Sequence, residues 1–362
     1  MKAKLKQLKV ALIHDWLVLP GGAERVLLAL SELFPQAPVY TTIYCPENFP
    51  QFSKTKIIPS YLNKLPFAAR YYPFLLPLMT RAVESFRLSG YDLIISDSHA
   101  VAKGIQKPLG AFHFCYCHTP MRYVWYPHID SRLADHWWGG LFIPYLKKWD
   151  KKAASRVDDF IANSFYTQKR IKEIYQRDSE VIYPPVEIKK WRTSNGFKNY
   201  FLYVGRLVKY KKPEIVIEAF NQTKLPLKVV GTGPLLPQLK ANAQSNIRFL
   251  GRVTDEELQK IYRECAALIF PTVEDFGIVP IEVMASGRPV IAYQEGGAAE
   301  TVVPGVTGEF FPKQSASALV DVLRQFSPEK YQPEVIRQHA EQFDKKNFQQ
   351  KIIHYLVKKK VI

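Results

Sequence analysis

The sequence predicts an α/β protein made of two doubly wound domains in tandem. Three observations carry this. Apolar segments of strand length alternate with amphipathic helical segments along most of the chain. The alternation breaks once, at the Pro- and Lys-rich stretch YPPVEIKKWRTSNGFKN (183–199), and then restarts. At 362 residues the chain is also longer than one hydrophobic core usually serves. Strands that alternate with helices form a parallel sheet with helices on its faces. The break sets the expected domains at 1–185 and 196–345. A C-terminal helix over 346–362 offers Ile352, Ile353, Tyr355, Leu356 and Val357 for burial and is free to cross back onto the first domain.

In order, LKVALIHDWL reads as a short buried strand, and GGAERVLLALSELFP as a glycine turn and an amphipathic helix stopped by Pro35. The segments APVYTTIY, YDLIISDS and FHFCYCH are rich in apolar and β-forming residues and read as strands. LKKWDKKAASRVDDFIANS is a helix running into a strand, YTQKRIKEIYQ a helix, and EVIYPPV a strand. Past the break come strand YFLYVGRL, helix PEIVIEAFNQ, strand LKVVGTG, helix LLPQLKANA, strand IRFLG, helix DEELQKIYREC and strand AALIFPT. Thr254 followed by Glu257 is a capping box, which fixes the start of that last helix.

Hydrophobic residues make up 47% of the chain and aromatics 13%, enough for packed cores and too many for a disordered protein. The formal charge of +17 implies an anionic partner. The basic residues are scattered, and helix-turn-helix, zinc-finger and RNA-binding-sheet signatures are absent, so nucleic acid is not the expected partner. Cys45, Cys115, Cys117 and Cys265 show neither CxxC nor zinc spacing, and Cys115 and Cys117 lie on one face of a strand; reduced, buried thiols and a cytoplasmic setting are expected. Asp15 interrupts the N-terminal apolar run too early for a secretory signal, and no apolar run reaches the roughly 18 residues of a spanning helix. Residues 61–86, where aromatics and leucines mix with Lys64, Arg70 and Arg81, read either as a membrane-peripheral face or as an internal helical pair broken by prolines.

The stretch PTVEDFGIVPIEVMASG (271–287) carries the chemistry. AALIFPT is a buried strand, and the helix after it begins near Val279, with Pro280 tolerated early and Gly287 ending it in the left-handed position. Ligands of open α/β sheets sit outside the carboxyl ends of strands, so Glu274 and the amides of Phe276, Gly277 and Ile278 face a crevice and suit a phosphate. Eight helical steps from Glu274 to Glu282 would span about 12 Å, so the two acids would hold different parts of an extended ligand. Glu282, set among Ile281, Val283 and Met284, either points to water as a surface acid on an amphipathic helix or faces a polar ligand.

EDFGIVPIE followed by MASGRPVIAYQEGGAAETV resembles the E-x7-E region of retaining glycosyltransferase family 4, which has the GT-B fold: two Rossmann-like domains facing across a cleft. GGAERV, CHTPMRYVW, GRLVKYK, VVGTGP and FLGRV resemble further segments of the family in the same order. The resemblance implies that Arg206 and Lys211 contact the donor diphosphate, that Glu274 lies under the donor sugar and that Glu282 holds the ribose, facing a wet crevice with hydroxyl partners. It implies backbone contacts to the donor from Gly21, Gly22 and Gly231, and places Arg252 and Val253 at the nucleobase. It makes His118, at the end of an apolar strand, the active-site histidine; His14, Asp15, Arg122, Tyr123 and Trp125 are candidates for the acceptor pocket. Two fixed cations would stabilise the charge that builds on a departing diphosphate.

The family needs no metal, and the sequence lacks an Asp-x-Asp motif, so no metal cofactor is expected. No carboxylate is securely placed as a nucleophile for double displacement; the resemblance implies front-face substitution with retention. HDWL, GGAERV and CHTPMRYVW look most like the mannosyltransferase branch that uses GDP-mannose in bacterial surface polysaccharide synthesis. Expected partners are a nucleotide sugar, a glycan or polyprenyl-diphosphate-linked acceptor and an anionic membrane surface; the expected location is the cytoplasm or the inner face of the plasma membrane. Two other readings stay open: a nucleotide-sugar epimerase of the same fold, and a non-enzymatic polyanion-binding protein.

Overall fold

The computed structural model describes residues 7–127, 139–194 and 196–362. It divides into two compact units, Met1–Pro185 with Lys346–Ile362, and Val186–Lys345.

The first unit holds a parallel sheet of seven strands: β1 (Val10–His14), β2 (Val39–Thr41), β3 (Ile57–Pro59), β4 (Leu93–Ser98), β5 (Phe112–Cys117), β6 (Asp159–Ala162) and β7 (Ser179–Val181). Their order across the sheet is β3-β2-β1-β4-β5-β6-β7. Every residue of β1 and β4 is buried, because helices cover both faces; this is why these strands open on apolar runs, VALI and LII, rather than alternating ones, before the polar residues at their carboxyl ends. On one face Met79 and Val83 of helix α2 (Leu76–Glu84) pack with Leu146, Trp149 and Ala153 of α3 (Gly139–Ser155). On the other, Val26 and Leu30 of α1 (Gly22–Leu33) share a core with Phe348, Ile352, Tyr355 and Leu356 of the last helix, Lys345–Lys358. The Tyr355 ring meets Phe114 edge-on at 5.3 Å. The four cysteines are free and buried.

The second unit holds six parallel strands, β8 (Phe201–Val204), β9 (Leu227–Val230), β10 (Ile247–Gly251), β11 (Leu268–Phe270), β12 (Val290–Tyr293) and β13 (Gly308–Phe311), in the order β10-β9-β8-β11-β12-β13. The Thr254 hydroxyl accepts the Glu257 N–H at 3.2 Å while the Glu257 carboxylate accepts the Thr254 N–H at 2.8 Å, completing the expected capping box.

Both sheets reverse direction once. The chain lays β2 and β3 outward from β1, then returns to the other side of β1 with β4; in the same way β9 and β10 leave β8 on one side and β11 joins it on the other. Each reversal opens a crevice beyond the carboxyl ends of the two central strands, where such sheets bind ligands.

Candidate active site

At the β8/β11 reversal, the loop after β8 carries Arg206 and Lys211 and the loop after β11 carries Glu274. The two loops are joined. Lys211 forms an ion pair with Glu274, and the Thr272 hydroxyl donates to the Tyr210 carbonyl at 3.4 Å. Lys211 and Glu274 are about a fifth exposed, at 19% and 21%. Arg206 is exposed, and its guanidinium donates to the Tyr210 hydroxyl at 3.1 Å. Tyr210 thus connects the two cations, a role the sequence did not suggest although it lies between them in GRLVKYK; the Lys211 ammonium also lies 5.4 Å from its ring.

The neighbouring loops press against this cluster. Gly231 has φ +128°, donates to the Gly251 carbonyl at 2.7 Å, and would bring a Cβ within 2.0 Å of the Gly205 oxygen, so only glycine fits. Exposed Arg252 and half-buried Val253 follow β10 on the same edge. Gly297 donates to the Glu274 carbonyl at 2.8 Å, and a Cβ there would meet Phe276 at 2.2 Å. The Gly296–Gly297 turn therefore clamps the loop that bears Glu274; its signal was the glycine pair that follows the strand in AYQEGG. Gly277, with φ +87°, precedes helix α8 (Ile278–Ala285; α4 to α7 being Phe165–Tyr175, Pro213–Thr223, Leu236–Asn242 and Asp255–Glu264). The Phe276 side chain is buried against Phe343, with ring centroids 5.7 Å apart, so what it offers a ligand is its backbone.

Glu282 corrects an expectation. Its side chain does not sit in a wet crevice: the residue is 3% exposed, and its carboxylate accepts a hydrogen bond from the buried Tyr262 hydroxyl of α7 at 3.1 Å. The apolar helix tolerates the acid because the protein itself supplies a hydroxyl.

At the β1/β4 reversal of the first unit, His14, Asp97 and His118 are brought together. Asp97 Oδ2 lies 2.8 Å from His14 Nδ1, and Oδ1 lies 2.6 Å from His118 Nε2. Glu24, in the first turn of α1 just after Gly21 and Gly22, places its carboxylate 3.6 Å from His14 Nε2. Burial works against a charge on His14, but the hydrogen bond to Asp97 and the nearby negative charges of Asp97 and Glu24 outweigh it and push its pKa up to about 10. Burial likewise disfavours ionised Asp97, but His118 and then His14 hold its carboxyl below the usual range. Neither Asp97 nor Glu24 was singled out in the sequence; two histidines and an acid at the carboxyl ends of adjacent strands were the available signal.

The other acceptor candidates divide. Asp15 is fully buried, and its carboxylate accepts backbone N–H groups from His99 (2.6 Å), Ala100 (3.0 Å), Val101 (2.6 Å) and Ala102 (2.6 Å), with His99 Nδ1 2.9 Å away. Burial opposes its charge, yet His99, His14 and the backbone keep its carboxyl well below the ordinary value. It anchors a turn and has no surface for an acceptor. Buried His14 and Tyr123 have none either, Tyr123 packing 6.3 Å from the Trp16 ring. Arg122 and Trp125 are half-exposed. The Trp125 indole donates to buried Asp150 at 2.7 Å. Among the described residues no group of three or more His, Cys, Asp or Glu is placed to hold a metal ion.

Two doubly wound units with these reversals are the architecture of GT-B glycosyltransferases. The fold is shared with sucrose-phosphate synthase of Thermosynechococcus elongatus (TM-score 0.77, 20% identity, 97% of this chain and 98% of that one). It is shared also with Anabaena HepE in complex with UDP (TM-score 0.73, 20% identity, 97% and 100%). Residues 20–190 match the Glycosyltransferase Family 4 model and residues 187–346 the model of glycosyl transferases group 1: the chain belongs to glycosyltransferase family 4. An uncharacterized glycosyltransferase, MJ1178, of Methanocaldococcus jannaschii is 29% identical over 54% of this chain and 57% of its own length. O-antigen chain mannosyltransferase C of Escherichia coli is 32% identical over 37% and 38%. The chain thus spans between about a third and three fifths of these two relatives. Alpha-1,3/1,6-mannosyltransferase ALG2 of Dictyostelium discoideum is 24% identical over 84% and 86%.

Proposed function

We propose that this chain is a retaining hexosyltransferase that moves mannose from GDP-mannose to a glycan or polyprenyl-diphosphate-linked acceptor in bacterial surface polysaccharide synthesis. The observation that carries the reading is the cluster of Arg206, Lys211 and Glu274 at the β8/β11 reversal. Cleaving a sugar–phosphate bond builds negative charge on the departing diphosphate, and two cations already in place stabilise that charge without reorganising. Glu274 holds the Lys211 ammonium and lies under the donor sugar. The amides that open α8 take the phosphate, Gly231, Arg252 and Val253 border the nucleotide, and Glu282 supports that wall through Tyr262. The departing phosphate helps deprotonate the acceptor hydroxyl, with His118 contacting the transferred sugar. Mannose is favoured over other hexoses by the two mannosyltransferase relatives.

A thermal-shift panel of GDP-, UDP- and ADP-sugars tests the donor. A ligand at 100-fold excess over Kd adds about 2.7 kcal/mol. GDP-mannose is expected to raise the unfolding midpoint; a flat response to it with a response to UDP-glucose would reassign the donor, and silence from every sugar nucleotide would favour polyanion binding. Epimer formation without any acceptor would favour the epimerase reading.

The lipid-linked acceptor fits the surface of residues 61–86. Tyr61, Leu65, Phe67, Tyr71, Phe74 and Leu78 are exposed there, Phe67 at 70%. The charged residues of 61–86 are Lys64, Arg70, Arg81 and Glu84, and no acid occurs between Glu47 and Glu84. Exposed apolar side chains interspersed along the chain with exposed cations suit an anionic lipid surface, each cation contributing about 1 kcal/mol. Among the described residues no helix is long and apolar enough to cross a membrane.

A further inference from the structure

The seven-stranded sheet ends in a chain of ionisable side chains that leads outward from the core. His14 closes β1, Asp97 lies opposite it in register on β4, and His118 follows β5. His14 and Asp97 are each 1% exposed, whereas the His118 side chain reaches 12%. The Asp97 carboxylate is ionised, and an ionised carboxylate only accepts hydrogen bonds. The 2.6 Å contact therefore requires the proton of the His118 ring to sit on Nε2. In the neutral ring this leaves Nδ1 as the acceptor nitrogen. The other oxygen of Asp97 is gripped by His14, a cation at neutral pH whose far nitrogen lies against Glu24, so the carboxylate can neither rotate nor neutralise readily.

We propose that Asp97 is a positioning residue for the reaction: it fixes the tautomer and ring orientation of His118, so that Nδ1 is the nitrogen offered to the substrate, while His14 and Glu24 hold Asp97 in place. The kinetic consequence rests on the transferase reading; the tautomer does not. The second imidazole clamping the carboxylate also explains why a buried His14 sits beside the active-site histidine without a surface of its own.

Asp97→Asn keeps the shape and changes the chemistry. The amide has one acceptor oxygen, and the Glu24 carboxylate beside Nε2, which still favours a proton on each nitrogen of His14, directs that oxygen to His14 Nδ1. Its NH2 group then faces His118 Nε2 and drives the ring proton to Nδ1. Histidine-labelled protein, studied by nitrogen–proton NMR with the His118 signal identified through His118→Gln, is expected to show a protonated Nε2 in the wild type and a protonated Nδ1 in Asp97→Asn. The same variant should lose kcat by about 100-fold or more with KM for the donor little changed. An unprotonated His118 Nε2 in the wild type would overturn the proposal and needs no variant to fold. So would wild-type kcat in Asp97→Asn. If the wild type transfers sugar from no donor, the transferase reading falls, and the tautomer alone decides the positioning claim.

Discussion

Replacing Asp15 with asparagine separates a structural anchor from an acceptor ligand. The carboxylate takes four backbone N–H groups, two on each oxygen, in a fully buried turn. An asparagine side chain keeps one oxygen and turns an NH2 group toward the other pair, so at least two amides lose their acceptor. Each stranded buried donor costs about 1–3 kcal/mol, which gives a loss of about 4 kcal/mol. At about 2–4 °C per kcal/mol for a unit of this size, the unfolding midpoint should fall by roughly 8–16 °C. Thermal unfolding of the wild type and Asp15→Asn at neutral pH reads this directly. The folded pKa of Asp15 is depressed, so its contribution is full above the unfolded value of about 3.9 and is lost as pH falls below it; the two midpoints should converge in acid. An unchanged midpoint together with a raised KM for the acceptor would refute the anchor and restore Asp15 as a ligand.

Other outcomes follow from the same geometry. Lys211→Ala should lower kcat by about 100-fold or more in a sugar-transfer assay, while unfolding of the free protein changes little, because its ion pair with Glu274 is partly solvated. Gly231→Ala should lower both stability and donor affinity, since the new Cβ meets the Gly205 oxygen; differential scanning calorimetry with and without donor checks it. Phe67→Glu and Phe74→Glu together should abolish co-sedimentation with anionic vesicles and leave donor-induced stabilisation intact; retained sedimentation would remove the proposed lipid face. His14 has a folded pKa raised to about 10, so its contribution is whole below the unfolded value of about 6.5 and disappears as pH rises through about 10. His14→Gln should flatten that decline in the midpoint.

The alternation of strands and helices was legible because both parallel sheets are covered on both faces, which writes central strands such as LIISDS as continuous buried runs. Short or half-exposed strands carry no such run: β3 has three residues, none of them buried, and went unread. Lys211 and Glu274 sit 63 positions apart, and only the resemblance linked them before the fold placed β8 beside β11. Glu282 misled because periodicity does not reveal the Tyr262 hydroxyl on another helix. The His14–Asp97 contact joins residues 83 apart through strand register, which no local pattern records.

Sugar transfer with retention is decided by incubating the wild type with GDP-mannose carrying a labelled sugar and a membrane extract containing polyprenyl-linked glycans, then determining the anomeric configuration of the labelled product. The expected product carries an α-linked mannose, the configuration of the donor. A β-linked product would contradict retention, and label recovered only in unreacted donor, with every donor and acceptor tried, would contradict sugar transfer itself.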